Sequence, residues 1–298
     1  MLTCFLRYTI FFLELILINM IICEHKIAII MATYNGERFL AEQIESIINQ
    51  SEKDWKLYIR DDGSQDKTIE IIQEYSQKDS RIINIEDKET HLGPGKSFFK
   101  ALEQIDAELY MFSDQDDFWL PDKIEVSLNA YNSIKESKTR PIIVHTDISV
   151  TDENLNIIRK SRWDDVNLDP NKLKSYNYLA QYCYTQGCTL LFNNSAKKLA
   201  IPIADYASMH DWWISTRCIK AGGIIESVYT PTMLYRQHSN NVVGMHYDNI
   251  DFFSRKKEGL KNNIKRYSRL KQDGYGSLLK YIFYKFLLKV HTSRKHRR

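Results

Sequence analysis

The sequence predicts an α/β fold built on a mostly parallel sheet flanked by helices, and three observations carry that expectation. Apolar runs of strand length alternate with segments of helical periodicity from Lys26 onward. No Pro/Gly/Ser-rich linker separates the first half of the chain from the middle. Polar loops follow the first, second and fourth apolar runs, the last two rich in Asp, where an open α/β sheet places its ligands, beyond the carboxyl ends of its strands.

The elements follow in order. Ile27 to Ala32 is a strand-like run, and Glu37 to Asn49 reads as a helix. Alternating Trp55, Leu57 and Ile59 mark a second strand, followed by a helix from about Asp66 to Gln77 and a strand at Arg81 to Ile85. A helix around Ser97 to Ile105 and a strand at Leu109 to Phe112 complete the order of a nucleotide-binding half. Further strands are expected at Ile142 to Thr146 and Thr189 to Phe192. A helix from about Asp211 to Ala221 is stopped by Gly222-Gly223, and a helical tail begins near Asp248.

With 298 residues and 43% hydrophobic content, the chain can bury a substantial core. Its five cysteines are an odd set without a Cys-x-x-Cys pair, so neither a disulfide framework nor a zinc knuckle is indicated, and a reducing compartment fits. The net charge of +3 conceals an asymmetry: from Arg255 onward there are 15 Lys/Arg against 2 Asp/Glu, and before it 26 against 36. An acidic body excludes a nucleic-acid surface there, because such a surface needs clustered cations to displace counterions. The tail sets Leu278, Leu279, Ile282, Phe283, Phe286, Leu287 and Val290 among Lys280, Lys285 and Lys289, a basic amphipathic helix suited to an anionic membrane or to docking on the body. Leu2 to Cys23 is apolar but interrupted by Arg7, Glu14 and Asn19. Three readings stand: translation beginning at Met20, a membrane-associated segment, or a secretory signal.

The chemistry lies in the loops. SDQDDFWLPDK (Ser113 to Lys123) crowds Asp114, Asp116 and Asp117 at a strand end, which is costly unless a cation neutralises them. Hard oxygen ligands without clustered Cys or His suit Mg²⁺ or Mn²⁺, while a solvated turn capping the next helix uses the same residues. RDDGSQD (Arg60 to Asp66) offers an acceptor for a base edge or ribose hydroxyl, or a turn with a helix cap. MATYNG (Met31 to Gly36) ends the first strand. HLGPGKSFF (His91 to Phe99) is not a Walker phosphate loop, since Thr90 stands where a glycine is required, yet Gly93 and Gly95 let main-chain amides approach a diphosphate.

Together with HDWW (His210 to Trp213) and YRQHSNNVVG (Tyr235 to Gly244), these motifs resemble glycosyltransferase family 2, with the GT-A fold, over roughly residues 26 to 244. The combination of DQDDFW, HDWW and YRQH is particularly similar to bacterial rhamnosyltransferases. The resemblance implies an inverting transfer from a nucleotide diphosphate sugar, with dTDP-rhamnose as leading donor, to a glycan or lipid-linked acceptor. It implies that Asp62, with Asp61 beside it, and the Ala32, Thr33 and Tyr34 backbone meet the base, and that Gly93 approaches the diphosphate. Asp114 and Asp116 would hold ribose and metal-bound diphosphate, Asp117 is the other candidate metal ligand, and DQDD leaves two registers open. Asp211 would be the catalytic base and His238 would approach the metal. Gln186, Gly187, Trp212 and Trp213 would face the acceptor, while Cys188 reads as a small buried residue.

These expectations divide the chain into an extension (1–25), a catalytic domain (26–247, with a nucleotide-sugar half at 26–125 and an acceptor half at 126–247) and a basic tail (248–298). They place it at the cytoplasmic face of a membrane. A sugar nucleotidyltransferase and a catalytically silent binding scaffold are the alternative functions.

Overall fold

The computed structural model describes residues 26–135, 139–207, 209–239, 241 and 252–292. Its first half comprises β1 (Ile27–Thr33), α1 (Leu40–Ile48), β2 (Trp55–Asp61), α2 (Thr68–Lys78), β3 (Ile82–Asn84), α3 (Pro94–Gln104) and β4 (Leu109–Ser113). Alternate residues of β1 serve two cores. Ala28 and Ile30 pack in one cluster with Phe98, Phe99 and Leu102 of α3, while Ile27, Ile29 and Met31 join Leu40, Ile44 and Ile47 of α1 in the other. The period of two along a strand therefore dictates helices on both faces, and β1 pairs in parallel with β2 and β4.

Two helix starts differ from the sequence expectation. α1 begins at Leu40 rather than Glu37, because the Gly36 carbonyl first accepts from both Phe39 and Leu40 N–H in a turn. α3 begins at Pro94 rather than Ser97: Gly93 adopts φ +78°, a conformation open to glycine, and proline is preorganised for the first helical turn.

The second half contains β5 (Phe118–Trp119), α4 (Lys123–Asn132), β6 (Ile142–Thr151), β7 (Ile157–Arg159), the short α5 (Arg162–Asp165) and α6 (Tyr176–Leu179), β8 (Leu190–Asn193), α7 (Asn194–Ala200), α8 (His210–Lys220) and β9 (Ile224–Arg236). The sheet order is β3-β2-β1-β4-β8-β6-β9-β5, with β7 on β6. The run of parallel pairs is interrupted after β4, since β8 runs antiparallel to both β4 and β6, and parallel pairing resumes between β6 and β9. β6 continues five residues past the expected end at Thr146 because its polar second half keeps pairing with β9, as far as Thr151 opposite Arg236. β9 then pairs antiparallel with β5, immediately after the DQDD sequence. This pairing carries YRQH to the acidic loop.

The tail forms α9 (Phe252–Gln272) and α10 (Leu278–Thr292). Leu270, Tyr275 and Tyr281 are buried in the same core cluster as Phe98 and Trp213, so the expected boundary near residue 247 is crossed by the core. Asp273 fastens the turn between the two helices. It pairs with Arg217 and with Lys220 (3.0 Å) of α8 and accepts from Tyr176 (2.6 Å). No helix among the described residues is long and apolar enough to cross a membrane. The readings of Leu2 to Cys23, the Val242–Gly244 end of the YRQHSNNVVG motif and the expected tail start near Asp248 lie outside the described residues.

Candidate active site

A cavity of about 730 Å³ opens at the carboxyl ends of β1 and β4. One wall is built by the loops after β1 and β2. Asp62 is buried, accepting from Leu92 N–H (3.0 Å) and Gly93 N–H (2.8 Å), and it pairs with Arg60 (2.9 Å). Arg60, fully buried, also reaches Asp87 (3.1 Å), Ser97 Oγ (2.8 Å) and the Glu89 carbonyl. The loop leading into α3 is thereby pinned to the end of β2. Tyr34, half exposed, is braced by Gln115, whose side-chain amide accepts from Tyr34 N–H (2.9 Å) and donates to Tyr34 O (3.0 Å). A Cβ on Gly36 would lie 2.3 Å from Gln115 Oε1, so this brace requires glycine at 36. His91 meets Tyr34 edge-on, with ring centroids 5.8 Å apart.

The floor is the DQDD loop. Burial first, then the charges of Asp116 and Asp211, raises Asp114 to about 7. Asp117 is raised well above the usual carboxylate range, again by burial and then by Asp116 and Asp114. Asp117 accepts from Arg236 N–H (3.3 Å), but its Oδ2 is buried with no hydrogen-bond partner among the described residues. Ligand atoms of Asp114, Asp117 and Cys188 all lie within 4.8 Å of one another. Crowded carboxylates with an orphaned buried oxygen fit a divalent cation. Asp116 is engaged differently, its Oδ2 lying 2.8 Å from His238 Nε2. Arg236 supports this arrangement from beneath: it donates to Asp116 O (2.8 Å), pairs with Glu42 of α1 and lies 4.5 Å over the Phe39 ring.

Asp211 borders the same cavity, near enough for its charge to act on Asp114. It stands one residue inside α8, whose N-cap is Met209, so it does not cap the helix. Its Oδ1 accepts from Trp212 N–H (2.6 Å) and its Oδ2 from Gly187 N–H (3.3 Å). Two main-chain donors and the positive end of the helix hold the carboxylate at the cavity.

Ala32, Thr33, Tyr34, Asp62, Gly93, Asp114, Asp116, Gln186, Gly187, Asp211 and His238 all border this cavity. Five residues singled out in the sequence do not, the first being Gly95, which lies within α3. Asp61 turns away and organises its own loop, accepting from Thr33 Oγ1 (2.8 Å), Gly63 N–H (2.9 Å) and Ser64 N–H (2.7 Å). Asp117 lies behind the lining. Trp212 and Trp213 are core residues whose indole N–H groups donate to Ala180 O (3.3 Å) and Ala200 O (2.7 Å), so neither supplies a sugar platform. Cys188 is buried as expected, yet it borders the cavity beside Asp114 and Asp117, which its sequence context did not disclose. Gln115, Arg236 and His91 were also missed, since each acts through a partner 57 or more residues away that only the fold brings near. The sole sequence signal was their position inside motifs already singled out.

Comparison with known proteins agrees with this geometry. The family model described as Glycosyl transferase family 2 matches residues 28–195. The chain is 32% identical over 249 residues to the dTDP-rhamnosyl transferase RfbG of Shigella flexneri, covering 78% of this chain and 79% of that one. Among solved structures, S. aureus TarS 1-349 in complex with UDP-GlcNAc matches with TM-score 0.55 at 17% identity, over 75% of this chain and 62% of that one, less than two thirds of its length. The mannosyltransferase PcManGT from Pyrobaculum calidifontis, in complex with GDP-Man and Mn2+, matches with TM-score 0.52 at 14% identity, over 90% of this chain and 84% of that one. At such identities the likeness is one of fold, that of GT-A glycosyltransferases.

Proposed function

The chain belongs to glycosyl transferase family 2, and on that premise we propose that it transfers L-rhamnose from dTDP-rhamnose, with inversion, to a glycan or lipid-linked acceptor of cell-surface polysaccharide. The observation that carries this reading is that Asp211 lines one cavity with Asp114 and Asp116 of the DQDD loop. Negative charge develops on the departing diphosphate at the acidic floor, and a proton must leave the acceptor hydroxyl to a base in the same cavity.

The residues divide the work accordingly. Asp62, Tyr34 and the Gly93 backbone receive the nucleotide, with Arg60 holding their loops in register. Asp114, Asp116 and Asp117 are the residues to hold Mg²⁺ or Mn²⁺, with His238 fixing the Asp116 carboxylate. When bound, the cation supplies Lewis-acid stabilisation of the leaving diphosphate. Asp211 accepts the proton of the acceptor hydroxyl as that oxygen bonds to the anomeric carbon, and the bond from that carbon to the diphosphate breaks with its electron pair leaving on dTDP. A single displacement inverts the anomeric centre.

The dTDP-rhamnose assignment is supported by the relative from Shigella flexneri and by the HDWW and YRQH motifs. A membrane-facing setting, at the cytoplasmic surface, is supported by α10. One side of this helix packs Tyr281 into the core, while Leu279, Ile282, Phe283, Phe286 and Val290 stay exposed beside Lys280 and Lys289. A thermal-shift screen of dTDP-rhamnose, UDP-sugars and GDP-mannose, with and without Mn²⁺, tests the donor: stabilisation by dTDP-rhamnose that needs the metal is expected. Equal stabilisation by every nucleotide sugar would refute it.

A further inference from the structure

His210 is only 3% exposed, yet neither of its ring nitrogens has a hydrogen-bond partner among the described residues. Buried polar groups are nearly always paired, so an orphaned imidazole calls for a partner that arrives from elsewhere. His145, another buried histidine, keeps one partner, with Nε2 2.8 Å from Ser227 Oγ and only Nδ1 unpaired among the described residues. The His210 ring is also rigidly set. Phe98 lies against it with centroids 4.2 Å apart, and Phe112 meets it edge-on at 4.7 Å. Gly187 makes room for it, since a Cβ there would lie 2.3 Å from His210 Nε2.

The ring borders the cavity at an informative place. On one side Phe98 belongs to α3, whose N-terminus follows Gly93 on the nucleotide wall. On the other side is Asp211, the next residue in the chain. A group between the nucleotide wall and the base faces the sugar being transferred. Burial depresses its pKa, so near neutral pH the imidazole offers one N–H donor and one lone-pair acceptor, the pair of capacities that a sugar hydroxyl complements.

We propose that His210 is a specificity-determining residue that hydrogen-bonds a ring hydroxyl of the donor hexose. The proposal rests on the reading of the cavity as a nucleotide-sugar site. A site that hydrogen-bonds a hydroxyl rejects the analogue lacking it, because its own polar group is left buried and unpaired.

The test uses the full chain with dTDP-rhamnose and its 2-, 3- and 4-deoxy analogues, reading release of dTDP and thermal shift. In the wild type one deoxy donor is expected to lose about tenfold or more in kcat/KM. His210→Phe keeps the aromatic packing but removes both nitrogens. It should lose a similar factor on dTDP-rhamnose and nothing further on that deoxy donor, while its thermal shift with dTDP alone stays as in the wild type. His210→Gln, whose amide reaches toward the Nε2 position, should recover part of the loss. If His210→Phe keeps every deoxy penalty of the wild type, or loses dTDP binding equally, His210 is a packing residue and the proposal is overturned. A wild type shifted by another nucleotide sugar but not by dTDP-rhamnose overturns the donor assignment alone, and the same comparison on deoxy forms of that sugar decides His210.

Discussion

His238 Nε2 lies 2.8 Å from Asp116 Oδ2, joining the end of β9 to the loop after β4 across 122 residues of sequence. The contact fixes one carboxylate of the acidic floor and leaves Asp114 and Asp117 to face each other with Cys188. Asp116→Asn is therefore expected to abolish transfer and metal-dependent donor stabilisation together, because a cation held by few protein oxygens does not tolerate the loss of one. His238→Ala, which frees the carboxylate without removing it, should lower kcat/KM by roughly tenfold, as expected for one charge-assisted hydrogen bond. Steady-state kinetics over a Mn²⁺ titration distinguishes the two.

Arg60 is fully buried between Asp62 and Asp87. Replacing it with methionine keeps much of the volume but leaves two carboxylates without their cation, a change that costs about 3–5 kcal/mol in buried pairs. Arg60→Met should lower the denaturant midpoint accordingly and weaken dTDP binding, since Leu92 and Gly93 lose their register with Asp62. Unchanged stability would mean that Asp87 and Asp62 find other partners.

Stability should fall in mild acid through His145. Burial holds its folded pKa near 3, against about 6.5 when unfolded. Between these values the unfolded chain binds the extra proton, so the contribution is complete above about pH 6.5 and is lost as pH falls toward 3, at a limiting slope of roughly 1.4 kcal/mol per pH unit. His145→Gln, which can still reach Ser227, should flatten the dependence of the urea midpoint on pH over that window.

For the membrane face, deleting the tail is a poor test, because Leu270, Tyr275 and Tyr281 belong to the core. Phe283→Ser with Phe286→Ser alters only exposed side chains. The double variant is expected to keep its melting temperature and to lose sedimentation with phosphatidylglycerol vesicles, and high salt should weaken wild-type binding. Undiminished, salt-independent binding would place the attachment elsewhere.

Much of this site was legible in the sequence because local patterns encode it. The apolar run of β1, the alternation in β2 and the run ending at Phe112 located three strand ends, so Asp62 and Asp114 stood where ligands bind, while Asp211 was indicated only by the family resemblance that HDWW carries. What could not be read depends on long-range pairing. β9 passes β6 and also reaches β5, and only that places Arg236 beneath Asp116. Trp212 and Trp213 were expected to face the acceptor, although an indole more often serves a core, and the main-chain acceptors Ala180 and Ala200 decide for the core. Asp61 and Asp62 are adjacent and chemically identical, so only the turn at Gly63 and Ser64 separates loop organiser from cavity residue.

The most direct measurement is transfer by Asp211→Asn, with donor and metal binding followed in parallel. The amide keeps an oxygen to accept from Gly187 N–H, so the fold and the melting temperature should persist. Proton acceptance is removed, and kcat should fall by roughly 10²-fold or more, as for loss of a general base. The thermal shift with dTDP-rhamnose and Mn²⁺ should stay near the wild-type value, because those contacts belong to other residues of the cavity. A folded, donor-binding, transfer-dead enzyme is the expected result; near-normal transfer by Asp211→Asn would contradict the assignment of Asp211 as the base.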